Sequence, residues 1–554
     1  MQIIMNKAVE LTTGEERMVQ KLKEMYRGSC AYLYIQPNMG RMRPDLILID
    51  PRRGICIIEV KDWSLGYIRN INNEVAVLIE RVVENPILQV QKYLNACKTI
   101  VLNNYITAPM YAALVFMNLG EDEMATFGGA LRSSQVLRIS KDQVAKLKAE
   151  DLFRGEVAVM SEREMITVRT SLFPECRISN MESISALDVD QLNFAQRMPL
   201  GHYMITGVPG SGKTSILITR AIYLLKEHPD WQIKIVTFTN SLADKIELRV
   251  AEIAAEYMPY RGNINTENIS VSTLHKMAQE LHGQKIQTDR RKKVLASWWD
   301  RSVELALNVG RPTYDAVLID EFQDFKDTWI RLCIQLCKSH TDADGRTHKN
   351  IFLAGDKLQS IYNVKAHNWS QDFGMDMRGR SKLLKNAYRT GMNITRLALT
   401  FLKSQQDLEE DVRNFYCYNE DELKSNDETG TIDFIEGTYA KVKIAVDELF
   451  EAGYDADDIL ILTRTNDLAK KFGKYRNIKI LTYHSAKGIE QKVAILLDTD
   501  MFCSWEPGEE TVMQKKLLYV GLTRAFQKLI LHASSFEKES YGKLLKQIYD
   551  SPSF

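Results

Sequence analysis

The feature that most constrains this chain is GVPGSGKT, Gly207 to Thr214, set between the strand-like run HYMIT and the helix-like run SILITRAIYLL. The pattern G-x-x-x-x-G-K-T in that context commits its surroundings to a strand, a phosphate-cupping loop and a helix. Glycines at 207, 210 and 212 let backbone N–H groups face phosphate oxygens, and Ser211 and Ser215 count with them as nucleotide-binding positions. Lys213 is placed for the β/γ-phosphates and the Thr214 hydroxyl for Mg²⁺. From residue 187 onward, YMITG, IKIVTF, YDAVLID, NIFLAGD, DILILT, VAILLD and KLILHA alternate with helical patterns. That alternation predicts parallel sheets covered by helices on both faces. Within it, YDAVLIDEFQD ends an apolar strand in Asp320 and Glu321. One carboxylate suits a Mg²⁺ shell, and its neighbour can polarise an attacking water.

A second chemistry is written near the start. RPDLILIDPRRGICIIEVKDW holds two apolar runs around Pro51-Arg-Arg-Gly54, a hairpin signal. Strand residues two apart share a face, so Glu59 and Lys61 point the same way and Asp45 lies near them on the partner strand. Two carboxylates and a lysine in that arrangement suit metal-dependent phosphodiester cleavage, with Asp45 and Glu59 as metal ligands and Lys61 beside the attacking water. Gln89 and Tyr93 follow on a helix as Q-x-x-x-Y, and an earlier helix carries Gly14-Glu15-Glu16.

These motifs carry two family resemblances. PD-x13-E-x-K with Q-x-x-x-Y resembles the RecB-like PD-(D/E)XK nucleases. The helix-borne acid and NPILQ (85–89) resemble the nuclease-related (NERD) domain, with Glu16 fitting its spacing better than Glu15. The phosphate loop and DEFQD, with GDKLQSIY (355–362), AYRTG (387–391), YHSAKGIE (483–490) and LLYVGLTRA (517–525), resemble the UvrD/Rep-like superfamily 1 DNA helicases. That resemblance implies that Gln191 of LDVDQ reads the adenine, Gln359 senses the γ-phosphate, Arg389 and Arg524 clamp it, and Glu490 meets the ribose. It also implies DNA contacts at Thr239 and Asn240 in TFTNSLADK, at Thr273 and His275 in STLHK, and at Tyr362 and His484.

Departures from the helicase pattern limit what it implies. Only 44 residues separate His275 from Asp320, and only 92 separate Arg389 from Thr482, so the accessory subdomains are expected to be small. After QSIY stand Val364 and Lys365 where the family tends to place a base-stacking aromatic and an arginine, leaving Trp369 as the expected substitute. Lys+Arg and Asp+Glu both number 72, which excludes a uniformly basic nucleic-acid coat but permits a local channel. Eight cysteines with no C-x-x-C pair read as reduced, packed thiols, Cys333 and Cys337 included. No stretch reads as a signal peptide or a membrane span, so a soluble, cytoplasmic protein is expected.

The expected architecture is α/β: a PD-(D/E)XK nuclease fold over residues 1–154, a linker over 155–186, and two RecA-like lobes, 187–380 and 381–554, with small insertions near 250–312 and 400–455. The function implied by resemblance is an ATP- and Mg²⁺-dependent DNA nuclease–helicase acting on single-stranded or tailed duplex DNA, similar to bacterial phage-defence proteins. The alternative is an ATPase switch that senses DNA or nucleotide and gates the nuclease without processive unwinding. Translocation polarity, oligomeric state and any defence partner are not written in a motif.

Overall fold

The computed structural model describes every residue except 6–9, 40–41, 104–105, 156, 180–183, 197–200, 262–264, 284–294, 343, 357–358, 361–367, 385–389, 405–407, 409–429, 504–508 and 553–554. It divides into two compact units: Met1–Pro199 with Ile218–Asp230 and Arg249–Asn268, and Leu200–Leu217 with Trp231–Leu248 and Ile269–Phe554.

The first unit is built on a six-stranded mixed sheet in the order Gln2–Met5, Tyr32–Ile35, Leu46–Asp50, Gly54–Lys61, Met110–Phe116, Val136–Ile139. The expected hairpin is its centre: Leu46–Asp50 pairs antiparallel with Gly54–Lys61, Leu46 opposite Ile58 and Asp50 opposite Gly54. Gly54 has φ +115°, and a Cβ there would meet the Pro109 carbonyl at 2.2 Å, so only glycine closes this turn. Helix Thr13–Met25 begins with a capping box between Thr12 and Glu15 and lays Met18, Val19 and Leu22 on one face of the sheet. Helix Pro86–Asn103 packs on the strands Gly54–Lys61 and Met110–Phe116.

Residues 155–186, expected to be a linker, are largely ordered structure of this unit. Ser161 and Glu164 form a capping box that opens helix Glu162–Leu172, and Met165, Val168 and Leu172 are buried. Arg169 donates to the Tyr34 hydroxyl at 2.9 Å and to the Leu187 carbonyl at 2.9 Å, and the hairpin Arg177–Ser179/Ile184–Ala186 follows. The S-x-x-E start and the apolar spacing were present in the sequence; the many charges between them hid the period.

The second unit holds two parallel sheets. The first runs Ile269–Thr273, Ile233–Thr237, Ala316–Asp320, Thr347–Gly355, Tyr203–Gly207, Ser381–Leu384, with the short strand Ser339–Thr341 antiparallel at its margin. Ser381–Leu384 pairs with Met204–Gly207, so it completes this first sheet rather than opening the second. The second sheet runs Thr431–Glu436, Ala525–Ala533, Gln491–Leu496, Ile459–Thr463, Lys479–Thr482, all parallel. Inner strands such as Ile233–Thr237, Ala316–Asp320 and Ile459–Thr463 are near-continuous apolar runs, buried throughout because both faces are covered. Cys333 and Cys337 are buried in the core of the first sheet, as packed thiols. Among the described residues no helix is long and apolar enough to cross a membrane.

Candidate functional site

The hairpin register delivers the first constellation. One step beyond the Leu46–Ile58 pair, the Asp45 N–H donates to Glu59 Oε2 at 3.4 Å, and the Val60 N–H donates to Asp45 Oδ2 at 2.7 Å. Lys61 Nζ, on the same face as Glu59, donates to its Oε1 at 2.6 Å. Glu59 is only 1% exposed. Burial first, and then the adjacent Glu59 carboxylate, push the Asp45 carboxyl up to about 8, against the pull of Lys61. Gln89 Nε2 donates to the Tyr93 hydroxyl at 2.9 Å, and that hydroxyl donates to the Arg43 carbonyl at 3.4 Å. Burial, with Glu59 and Asp45 adding to it, raises Tyr93 to about 12.

The helix acid that joins this cluster is Glu15, and this corrects the choice of Glu16. Glu15 lies on the buried stripe with Met18, Val19 and Leu22, whereas Glu16 is turned to solvent. Glu15 accepts from Gln36 Nε2 and adds to the crowding on Asp45. Asp62, not singled out in the sequence, accepts the Gly14 N–H at 2.9 Å and docks the helix at the end of strand Gly54–Lys61.

Two carboxylates held together with one lysine are short of positive charge, and their hard oxygens suit a divalent cation such as Mg²⁺. Among the described residues no group of three or more His, Cys, Asp and Glu side chains forms a ready metal cage. Asp45 and Glu59 would be the residues to hold such a cation, which would supply Lewis acidity there.

The second constellation lies around the phosphate loop. Gly210 and Gly212 adopt φ of +71° and +83°, which shapes the loop. Lys213 Nζ rests on the Gly207 and Val208 carbonyls at 2.9 and 3.0 Å. Thr214 Oγ1 donates to Asp320 Oδ2 at 2.8 Å, joining the two expected Mg²⁺ positions. Burial and then Glu321 push Asp320 up to about 7, a crowding of acids that a divalent cation would relieve. Glu321 itself stands at φ +56°, a left-handed backbone for a side-chain-bearing residue. Ser211 is buried and Ser215 half-buried in the same turn.

Groups from the second sheet meet this place. Arg524, buried, donates to Gln359 Oε1 at 3.1 Å, so two residues assigned to the γ-phosphate touch. Lys487 of YHSAKGIE, 2% exposed, pairs with Asp324, donates to the Gln359 carbonyl at 2.7 Å and lies 3.6 Å from Glu321 Oε2. Its motif was quoted, but nothing in a lone lysine announces burial. Glu490 is half-buried just before strand Gln491–Leu496, whose first N–H donates to the Arg524 carbonyl at 3.0 Å. Gln191 is buried as the N3 residue of helix Val189–Ala195, in a capping box with Asp188. Arg389 and Tyr362 lie outside the described residues, as do Val364 and Lys365.

A groove of about 770 Å³ collects the expected nucleic-acid residues Thr239, Asn240, Thr273 and His275. Its other walls are Phe238, Lys276, Gln279, Trp299, Asp324, Lys326 and Trp329. Trp299 stacks obliquely on His275, ring centroids 4.1 Å apart, and burial lowers the His275 pKa to about 4. Trp369 is not part of this groove. It is 9% exposed, edge-on to Phe322 at 5.5 Å within the core of the first sheet, which corrects its assignment as a stacking platform. His484 is half-buried and held below the usual histidine range by desolvation, and it does not line the groove.

Comparison with known families finds two matches. Residues 11–117 match the nuclease-related domain (NERD), and residues 187–307 and 294–370 match the UvrD/REP helicase N-terminal domain. No curated protein matches the chain.

Proposed function

We propose that this chain, in which a nuclease-related domain precedes a UvrD/REP helicase N-terminal domain, is an ATP-dependent DNA nuclease–helicase. DNA lies along the groove at Thr239, Thr273 and His275, ATP binds at the phosphate loop, and closure of the two sheets moves or remodels the strand. The nuclease centre cuts by Mg²⁺-dependent hydrolysis. Asp45 and Glu59 hold the cation, which supplies Lewis acidity to the phosphodiester when bound. Lys61 orients and helps deprotonate the attacking water, Glu15 sets the outer edge of the acid cluster, and Tyr93 with Gln89 positions the phosphate. At the nucleotide, Lys213 and Thr214 bind phosphates and metal with Asp320. Glu321 polarises water, while Gln359, Arg524 and Arg389 neutralise the γ-phosphate. The observation that carries the reading is the intact Asp45–Glu59–Lys61 triad in one hairpin, alongside a complete phosphate loop. The pairing of these activities suits defence against foreign DNA, such as that of phages, in the cytoplasm.

A second reading, a nucleotide switch that gates the nuclease without unwinding, draws on Lys487, which engages Asp324 and approaches Glu321 so that the water-polarising acid is held in a closed network. Strand displacement from a tailed duplex, measured with Lys61→Ala protein so that cutting cannot mimic unwinding, separates the two. ATP-dependent displacement is expected for the helicase; ATP hydrolysis with no displacement would favour the switch.

A further inference from the structure

Gln36 follows strand Tyr32–Ile35 with φ +47°, a left-handed backbone that a side-chain-bearing residue adopts at a cost. A glycine would meet that geometry freely, so the side chain itself calls for an explanation. The Gln36 N–H donates to the Asp45 carbonyl at 2.7 Å and so fixes the residue that begins the catalytic hairpin. Its Nε2 lies 3.2 and 3.1 Å from the two Glu15 carboxylate oxygens. An ionised carboxylate only accepts, so the amide is oriented with its NH₂ towards Glu15. The other end, Oε1, is thereby left buried with no hydrogen-bond partner. A buried acceptor is costly until a donor reaches it. Its acidic neighbours Glu15 and Asp45 offer none when ionised. The donor that satisfies both the orphan oxygen and the charge deficit of the cluster is a water carried by a hard divalent cation.

We propose that Gln36 is a positioning residue of the nuclease cation site, clamping Glu15 beside the Asp45–Glu59 pair and offering Oε1 to a cation-bound water. This rests on reading the hairpin as a Mg²⁺-dependent nuclease. Outer partners of this kind typically change metal affinity by about 10–100-fold when removed.

The test is isothermal titration of Mn²⁺, standing in for Mg²⁺, into the full-length protein without nucleotide or DNA, with Asp45→Asn marking which heat belongs to the nuclease. Gln36→Gly relieves the backbone while deleting the amide. It is expected to melt at or above the temperature of the unmodified protein, yet to bind Mn²⁺ at least about tenfold more weakly. Its cleavage should lose kcat with little change in KM for DNA, and Gln36→Asn, whose shorter amide tolerates the same φ, should recover part of the affinity. Mn²⁺ binding and cleavage unchanged in Gln36→Gly would overturn the assignment while leaving the nuclease reading intact. So would a lowered melting temperature with no recovery in Gln36→Asn, the pattern of a purely structural role. Absence of any Asp45-dependent Mn²⁺ binding in the unmodified protein would overturn the cation reading and this inference together.

Discussion

The proposed nuclease centre and the proposed nucleotide site both crowd two acids beside a lysine, but they assemble over different distances in the chain. Asp45, Glu59 and Lys61 belong to adjacent strands of one hairpin, so register alone sets their geometry. Around Thr214 and Asp320, the remaining groups arrive from Gln359 and, across to a second sheet, from Lys487 and Arg524. The triad of the first site lies within one local hairpin, and helix residues such as Glu15 are added around it. The second draws groups from two sheets, and on the proposed reading this is what would couple hydrolysis to movement.

The strongest way to break this comparison is Arg524→Ala. An arginine delivered to the γ-phosphate is worth about 10³–10⁵ in turnover. ATP hydrolysis is expected to fall on that scale while cation binding at Asp45 is untouched. A small loss would mean the second sheet does not serve the phosphate.

Lys487→Ala sharpens the same point through stability. It removes a buried cationic partner of Asp324, a loss that costs up to about 3–5 kcal/mol in sites of this kind. Lys487→Ala should therefore lower the urea midpoint, and adding Asp324→Asn should recover much of the loss. An unchanged midpoint in Lys487→Ala would mean that this pair does not help hold the second site together.

The two tryptophans divide in a similar way. Trp369→Ala opens a core cavity, an expected loss of about 3–5 kcal/mol in stability. Trp299→Ala should instead weaken single-stranded DNA binding by about 1–3 kcal/mol with little effect on folding, as removal of a stacking platform does. Fluorescence anisotropy and thermal melts on both variants decide which tryptophan faces the strand.

The smallest expected effect is a pH slope from His275, whose folded pKa is lowered from 6.5 to about 4. Between those values the unfolded chain binds the proton and the folded one does not, so stability falls as pH falls through that window. The fall is about 1–3 kcal/mol, and the slope vanishes above the window and below it. His275→Phe should flatten the acid limb of a pH-dependent urea titration.

Much of this was legible in the sequence, for physical reasons that differ by residue. The phosphate loop and the hairpin triad are local patterns in which spacing dictates geometry, and both are assembled as the spacing implies. Glu15 was legible too, since it falls on the 15-18-19-22 stripe and inside the Thr12–Glu15 capping box, but motif spacing favoured its neighbour. Trp369 misled because an aromatic near a loop says nothing about the Phe322 and Phe373 that bury it. Lys487 and Gln36 were hidden for a third reason. Their roles depend on Asp324 and Glu15, partners distant in sequence, and on a backbone turn that no composition signals.

The most direct test follows DNA cleavage and ATP hydrolysis together, on linear DNA with Mg²⁺ and ATP, for the unmodified protein, Lys61→Ala and Lys213→Ala. Two centres in one chain require that Lys61→Ala ends cleavage and spares hydrolysis, and that Lys213→Ala ends hydrolysis. Cleavage lost along with hydrolysis in Lys213→Ala would make them one coupled machine. Cleavage that survives Lys61→Ala, or hydrolysis that survives Lys213→Ala, would contradict the assignment of the centres themselves.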